Sequence, residues 1–171
     1  GHATTKPTAS TIDALVFRMD AQLDTILSAT WVGGPGVDGF WSGAQQKDGT
    51  VIAAGSTTSD TLDVITANAL RKRGGGGGDM LLATWNGTLE QIEYCSFFGG
   101  SQSDYPHTLG GKAIVVMPSN EVAVLGLTSS LDIPLSSPTT DATLGSQDLY
   151  LALFRPSMDS LLYGTLIGGG D

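Results

Sequence analysis

The alternation of apolar and polar positions in this 171-residue chain is written three times over. The stretches DALVFRMDAQLDTILSATWVGG from Asp13, DMLLATWNGTLEQIEYCSFFGG from Asp79 and DLYLALFRPSMDSLLYGTLIGG from Asp148 align with offsets of 66 and 69 residues. Self-similarity at such a period marks a stacked or radially arranged repeat fold. Each copy opens on an Asp followed by a run rich in Val, Leu, Phe and Tyr and free of Pro and Gly, which predicts strands over 14–19, 80–85 and 149–154, buried on both faces. Turns are expected at Asp20-Ala21, Asn86-Gly87 and Arg155-Pro156. Asn-Gly is a strong hairpin signal because both residues tolerate positive φ. Leu23, Leu89 and Met158 give each turn an apolar anchor.

The second strands, predicted over 26–32, 92–98 and 161–167, alternate clearly. One face carries Ile26, Ser28, Thr30 and Val32, matched by Ile92, Tyr94, Ser96 and Phe98 and then by Leu161, Tyr163, Thr165 and Ile167. The other sets small beside large (Ala29 with Trp31, Cys95 with Phe97, Gly164 with Leu166), as neighbouring sheets do when they interlock. Gly-Gly follows at positions 33, 99 and 168, then an acidic turn. Two more strands are expected at 112–117 and 122–128 around Pro118-Ser119-Asn120, and at 42–46 and 51–57 around Lys47-Asp48-Gly49. Four short antiparallel strands per repeat describe a propeller blade. The prediction is an all-β fold of antiparallel four-stranded blades forming a partial β-propeller, with a β-sandwich-like stack of the same strands as the alternative. The chain then divides into a tail (1–11), a half blade (12–34), a blade (35–100) and a second blade (101–171). About two and a half copies fall short of the four or so that closure needs. A truncated piece of a longer protein is therefore expected, or a member of an assembly.

The order of features carries a family likeness: Asp, apolar strand, turn, strand with a Thr, Gly-Gly, acidic turn, then two strands with a Gly near the close of the second and Thr-Ser-Ser before a Pro. Its clearest instances are Asp148-Leu149-Tyr150-Leu151-Ala152, Leu161-Leu162-Tyr163-Gly164-Thr165-Leu166-Ile167-Gly168-Gly169 and Gly126-Leu127-Thr128-Ser129-Ser130-Leu131-Asp132-Ile133-Pro134. Over residues 12–171 this resembles the bacterial β-propeller repeat known as SBBP. The resemblance implies a secreted or cell-surface bacterial protein acting as a non-enzymatic scaffold or binding module. Its partners would be a protein or a glycan, and the remaining blades of a parent protein or another chain. Two departures stand out: Gln45 and Gln46 replace the usual Val/Ile/Ala run, and the glycine run 74–78 replaces the usual linker. Looser packing of the first unit is expected from them.

Charge narrows the partners. The formal net charge of −9 repels a phosphate backbone, and Arg71-Lys72-Arg73 beside the glycine run reads as a solvated loop, so no nucleic acid is expected. No apolar run approaches the ~18 residues of a membrane-spanning helix, so no membrane insertion is expected. Cys95 is the sole cysteine, which excludes an internal disulfide and a cysteine-based zinc site. Its column holds Ala29 and Gly164 in the other copies, so a buried packing thiol is expected. Gly1-His2 resembles the scar of a cleaved tag, and no leader peptide is visible.

The candidate chemistry is sparse, and no catalytic residue is assigned. Residues 33–40 fit the GGxGxD-x-U calcium repeat, which would recruit Asp38, Asp104 and Asp171, although tight glycine turns explain the same residues. No other cofactor is expected. Asp13, Asp79 and Asp148 recur identically and Thr30, Ser96 and Thr165 recur as a hydroxyl column, which suits structural roles, because a catalytic site needs different residues in different roles. Asp104, Tyr105 and His107 are the one concentration of unrepeated polar residues. They leave open a propeller enzyme of glycan lyase or hydrolase type with its catalytic residues elsewhere, yet a Ser-His-Asp triad lacks a nucleophile elbow. Trp31, Trp41 and Trp85, with Tyr105 and His107, could instead form a sugar-stacking platform, making the chain a carbohydrate-binding module, although strand tryptophans commonly belong to the core. The glycine run lacks the Gly-Lys-Ser/Thr ending of a phosphate loop and reads as a flexible connector. Asn86-Gly87-Thr88 is a glycosylation acceptor only in a eukaryotic secretory host.

Overall fold

The computed structural model describes residues 12–107, 112–136 and 145–168, and every regular element among them is a strand. β1 (Ala14–Met19) and β2 (Ile26–Val32) form a pair. β3 (Asp38–Gln45), β4 (Val51–Thr57), β5 (Asp79–Trp85) and β6 (Ile92–Phe98) form a sheet in that order. The third sheet contains β7 (Asp104–Pro106), β8 (Ile114–Val116), β9 (Val122–Thr128), β10 (Asp148–Phe154) and β11 (Leu161–Ile167), with β7 and β8 end to end along one edge of β9 and β10 then β11 on the other. All strand pairings are antiparallel, and no sheet closes into a barrel among the described residues. The chain is all-β, as its hydrophobic pattern predicts.

Burial fixes how the sheets stand to one another. β5 reads DMLLATW and is buried at every position, the signature of a strand covered on both faces. Met80 and Leu82, with Ile52, Tyr94 and Phe98, pack against Ile114, Val124, Tyr150 and Phe154 of the third sheet. Leu81, Ala83 and Trp85, with Cys95 and Phe97, pack against Ala14 and Val32 of the β1–β2 pair. The three sheets thus form a stack with the β3–β6 sheet in the middle. Phe98 meets Phe154 edge to face with ring centroids 5.1 Å apart. The small-residue column serves this packing. A Cβ at Gly164 would collide with the Tyr150 hydroxyl, which donates to the Pro134 carbonyl. Cys95 is wholly buried, and burial pushes its thiol up to about 12, so it is an inert packing group.

Several local expectations are revised. β3 starts at Asp38, four residues before the predicted strand. The strand expected at 112–117 shrinks to β8, because its line along β9 is shared with β7. Pro106 has no N–H to continue the ladder, and the chain leaves the sheet there. Leu125 bridges the gap, accepting from the His107 amide at 3.0 Å and donating to the Ala113 carbonyl at 2.8 Å. Gln46 is buried and donates to the carbonyls of Pro156 at 2.9 Å and Asn120 at 3.3 Å, so the polar departure in the first unit ties the middle sheet to the third.

The hairpins differ most from expectation. Neither Asn86 nor Gly87 adopts positive φ; the left-handed position falls on Leu23, Leu89 and Met158, with φ of 60°, 57° and 62°. The side chain that opens the turn gives a local reason in two of the hairpins: Asn86 Oδ1 accepts from the Glu90 and Gln91 amides at 3.0 and 3.2 Å, as Asp20 Oδ1 does from Asp24 and Thr25 at 3.1 and 3.3 Å. Pro156 suits the same shape in the third, because its ring holds φ near −65°, the value of the second position of an ordinary turn. Each turn closes by an amide-to-carbonyl bond three residues back, from Leu23 to Asp20, Leu89 to Asn86 and Met158 to Arg155. A branched or bulky residue in this conformation costs about 1–2 kcal/mol. Burying the side chain offsets it where a neighbouring sheet is present: Leu89 is 6% exposed, whereas Leu23 is 72% exposed. Replacing Leu89 by Gly should therefore destabilise the chain by about 1 to 2 kcal/mol, whereas Leu23→Gly should change stability by less than about 0.5 kcal/mol. Urea unfolding of the two variants checks the contrast, and equal effects would refute the offset.

Candidate functional site

Two polar clasps recur at the same end of successive sheets. In the first, Asp38 opens β3 and is fully buried; its Oδ1 accepts from the Thr57 hydroxyl, and its Oδ2 accepts from Ser59 Oγ at 2.9 Å and the Gly34 amide at 2.8 Å. In the second, Asp104 opens β7, and its Oδ2 accepts from Ser130 Oγ and the Gly100 amide, both at 2.8 Å. The serine amide donates to the threonine hydroxyl at 2.9 Å in both, Ser59 to Thr57 and Ser130 to Thr128. The Thr-x-Ser at the end of β4 and of β9 is thus the receptor for the Asp that begins β3 and β7 respectively. Both oxygens of Asp38 meet N–H and O–H donors, whereas a cation site presents oxygen acceptors; Asp104 has donors on Oδ2 alone, its buried Oδ1 meeting none. Among the described residues no group of three or more His, Cys, Asp or Glu side chains could hold a metal. Asp171, the third member of the calcium reading, lies outside the described residues.

The recurring strand-opening Asp explains the Gly-Gly. A Cβ at Gly33 or Gly168 would fall within the carboxylate of Asp13 or Asp148, and one at Gly99 would press on Asp104 Oδ2 at 2.6 Å and Asp79 Oδ1 at 2.9 Å, so glycine admits the acids there. Asp79 Oδ2 accepts from the Gly75 amide at 2.8 Å, and its Oδ1 lies 3.7 Å from Arg71 Nη1. Burial pushes the Asp79 carboxyl above the usual carboxylate range; the Gly75 amide and Arg71 oppose this, and the neighbouring Asp104 charge adds to it. Arg71, expected in a solvated loop, donates to the carbonyls of Gly99 at 2.8 Å and Gly100 at 3.0 Å. The glycine run is no loose connector either. Gly76, Gly77 and Gly78 hold φ of 125°, 59° and 117°, a path that side chains resist, and the Gly78 carbonyl accepts from the Asp104 amide at 2.9 Å.

This ordered glycine loop forms one wall of a cleft of about 380 Å³ between the middle and third sheets. The cleft is lined by Trp41, Ser56, Thr58, Ser103 and Tyr105, with Gly77, Gly78 and Pro106 among the remainder. A β-bulge supplies its principal aromatic. The β3–β4 register slips between Phe40 and Ser42, leaving Trp41 as the extra residue. Phe40 turns inward, where its ring meets Trp85 edge to face at 5.5 Å. Trp41 remains 58% exposed. Its indole N–H donates to Ser56 Oγ at 2.9 Å, which orients the ring. The Tyr105 hydroxyl accepts from Gln147 Nε2 at 2.6 Å. An oriented aromatic face beside hydroxyl groups, with no lysine or arginine in the lining, suits an uncharged ligand with one apolar face and several hydroxyls.

The candidate residues of the sequence separate accordingly. Trp41 and Tyr105 come together at the cleft; His107 lies just beyond β7 and is not in the lining, and Asp104 contributes to the wall from within its clasp. Trp85 is completely buried and takes no part in any surface platform. Trp31 sits on β2 opposite Leu15, on the far sheet. Ser56, Thr58, Ser103 and the end of the glycine run went unassigned. Two adjacent bulky residues at Phe40-Trp41, which break strict alternation, are the signal that could have revealed the bulge. Neither a protein-family model nor a curated protein matches this chain.

The raised Asp79 carboxyl gives a pH signature. For an acid whose pKa rises on folding, the associated stability is complete below the unfolded value of about 3.8 and is lost as pH climbs through the folded value. Asp79→Asn keeps an acceptor for the Gly75 amide and removes the titration. Urea midpoints measured from about pH 3 to about pH 6 should show the variant gaining on the wild type as pH rises, then levelling off. A constant difference across that window is the contrary result.

Proposed function

We propose that this chain is a non-enzymatic scaffold and binding module: a segment of a β-propeller of the SBBP repeat type, from a secreted or cell-surface bacterial protein, that takes a neutral glycan in the cleft between Trp41 and Tyr105. The observation that carries the reading is the bulged, hydrogen-bonded and exposed Trp41, an unrepeated residue on a repeated framework. Ser56 and Ser103 nearby suit a sugar's hydroxyls, and the indole face suits the C–H face of a pyranose. The stack of antiparallel sheets, with apolar faces turned to one another, supports the propeller part of the reading. Against a propeller enzyme stands the separation of its candidate residues: Asp104 is buried with its Oδ2 committed to Gly100 and Ser130, while His107 lies outside the lining.

A glycan array carrying neutral oligosaccharides tests the module. Binding should be detected for the wild type, weakened by about tenfold or more in Trp41→Ala and partly kept in Trp41→Phe, with a blue shift in tryptophan emission on titration. An array without hits, or hits indifferent to Trp41, defeats the glycan reading.

A further inference from the structure

The chain contains two inter-sheet interfaces, and both use the same columns of the repeat. The middle sheet covers its leading face, bearing Met80, Leu82, Tyr94 and Phe98, with the third sheet. It covers its trailing face, bearing Leu81, Ala83, Cys95 and Phe97, with the β1–β2 pair. The offset of 69 carries the leading columns to Leu149, Leu151, Tyr163 and Ile167. The β10–β11 register sets Leu149 opposite Ile167 and Leu153 opposite Tyr163, while Tyr150, Ala152 and Phe154 point into the core, so these columns lie on the outer face of the third sheet. Ile167 there is 51% exposed. The offset of 66 carries the trailing columns back to Leu15, Phe17, Ala29 and Trp31, with Leu15 opposite Trp31 and Phe17 opposite Ala29. Phe17 is 47% exposed. Each end of the stack therefore displays the half of an interface whose other half lies at the opposite end.

We propose that this chain associates head to tail with a second copy of itself, the outer face of the third sheet on one copy seating against the outer face of the β1–β2 pair on the other. The occupant follows from the columns, because a sheet of this same repeat is what covers each of these columns inside the chain. The two faces differ from one another, so the contact is heterologous and propagates into a ring or a filament. Each copy carries a net charge of −9, so long-range repulsion opposes the apolar contact. Screening by salt, whose Debye length falls from about 10 Å at 0.1 M to about 3 Å at 1 M, favours it. The contact does not involve the Trp41 cleft.

Sedimentation equilibrium of the full chain, read across protein and salt concentration, tests the proposal. The wild type should exceed the monomer mass as its concentration rises, and more so at high salt. Leu151→Asp on one face and Phe17→Asp on the other should each weaken association by at least about tenfold. A mixture of the two variants should recover a one-to-one dimer and stop there, because the pair retains a single intact interface. Ile167→Lys and Leu15→Lys serve as milder replacements should a strand aspartate unfold the chain, with the circular dichroism strand signal as the control. A wild type that stays monomeric throughout, a mixture that stays monomeric, or a Phe17→Asp variant that associates like the wild type overturns the proposal. Trp41→Ala should leave association unchanged, so failure here and failure of glycan binding are read separately.

Discussion

Covering both faces of the β3–β6 sheet is the constraint on which the molecule depends, because a fully apolar strand such as β5 has no solvent side to present. Each face draws in a neighbouring sheet, and each neighbour inherits a second face of the same character. The large residues Trp85, Phe97, Tyr150 and Phe154 fill the gaps, and the column of Ala29, Cys95 and Gly164 makes room for them. The polar features are subordinate to this packing. Gln46, at the end of a strand, donates across a sheet boundary, and both oxygens of the buried Asp38 and the Oδ2 of Asp104 are bonded within their own sheets and by the crossovers that lead to them.

The cleft follows from the same arrangement. Where two sheets meet at their Asp-bearing ends, the glycine loop and the bulge at Trp41 hold the walls apart, and unrepeated residues gather there. A repeat can vary at such a place without disturbing its core, since the side chains concerned face solvent and the backbone is held by the clasps. Function on a repeat scaffold therefore resides in the positions at which the copies disagree.

Strands and core columns were legible in the sequence because their period is local: β1, β2, β4, β6, β9 and β11 span the residues that alternation picks out. The burial of Cys95 was legible from its column. Three features were not. The hairpin at Asn86-Gly87 is longer than its dipeptide suggests, since Asn86 Oδ1 accepts from the Glu90 and Gln91 amides and the positive φ falls on Leu89. The other two depend on residues distant in sequence. The glycine run looked loose because nothing local says that its carbonyls meet Ser103 and Asp104. Trp41 and Trp85 are indistinguishable by type, and only the slip of register opposite Gly55, whose bare Cα lets the Gly39 carbonyl approach, sends one outward and leaves the other inside.

The crossovers between sheets are short and tied. Five residues link Val32 to Asp38, and five link Phe98 to Asp104; each link has its second glycine amide held by the Asp that follows. A link so short and so tied has little freedom to swing, so it limits the ways in which the apolar faces can settle on one another. Lengthening one link by a single residue would widen that choice while leaving the strands themselves in place.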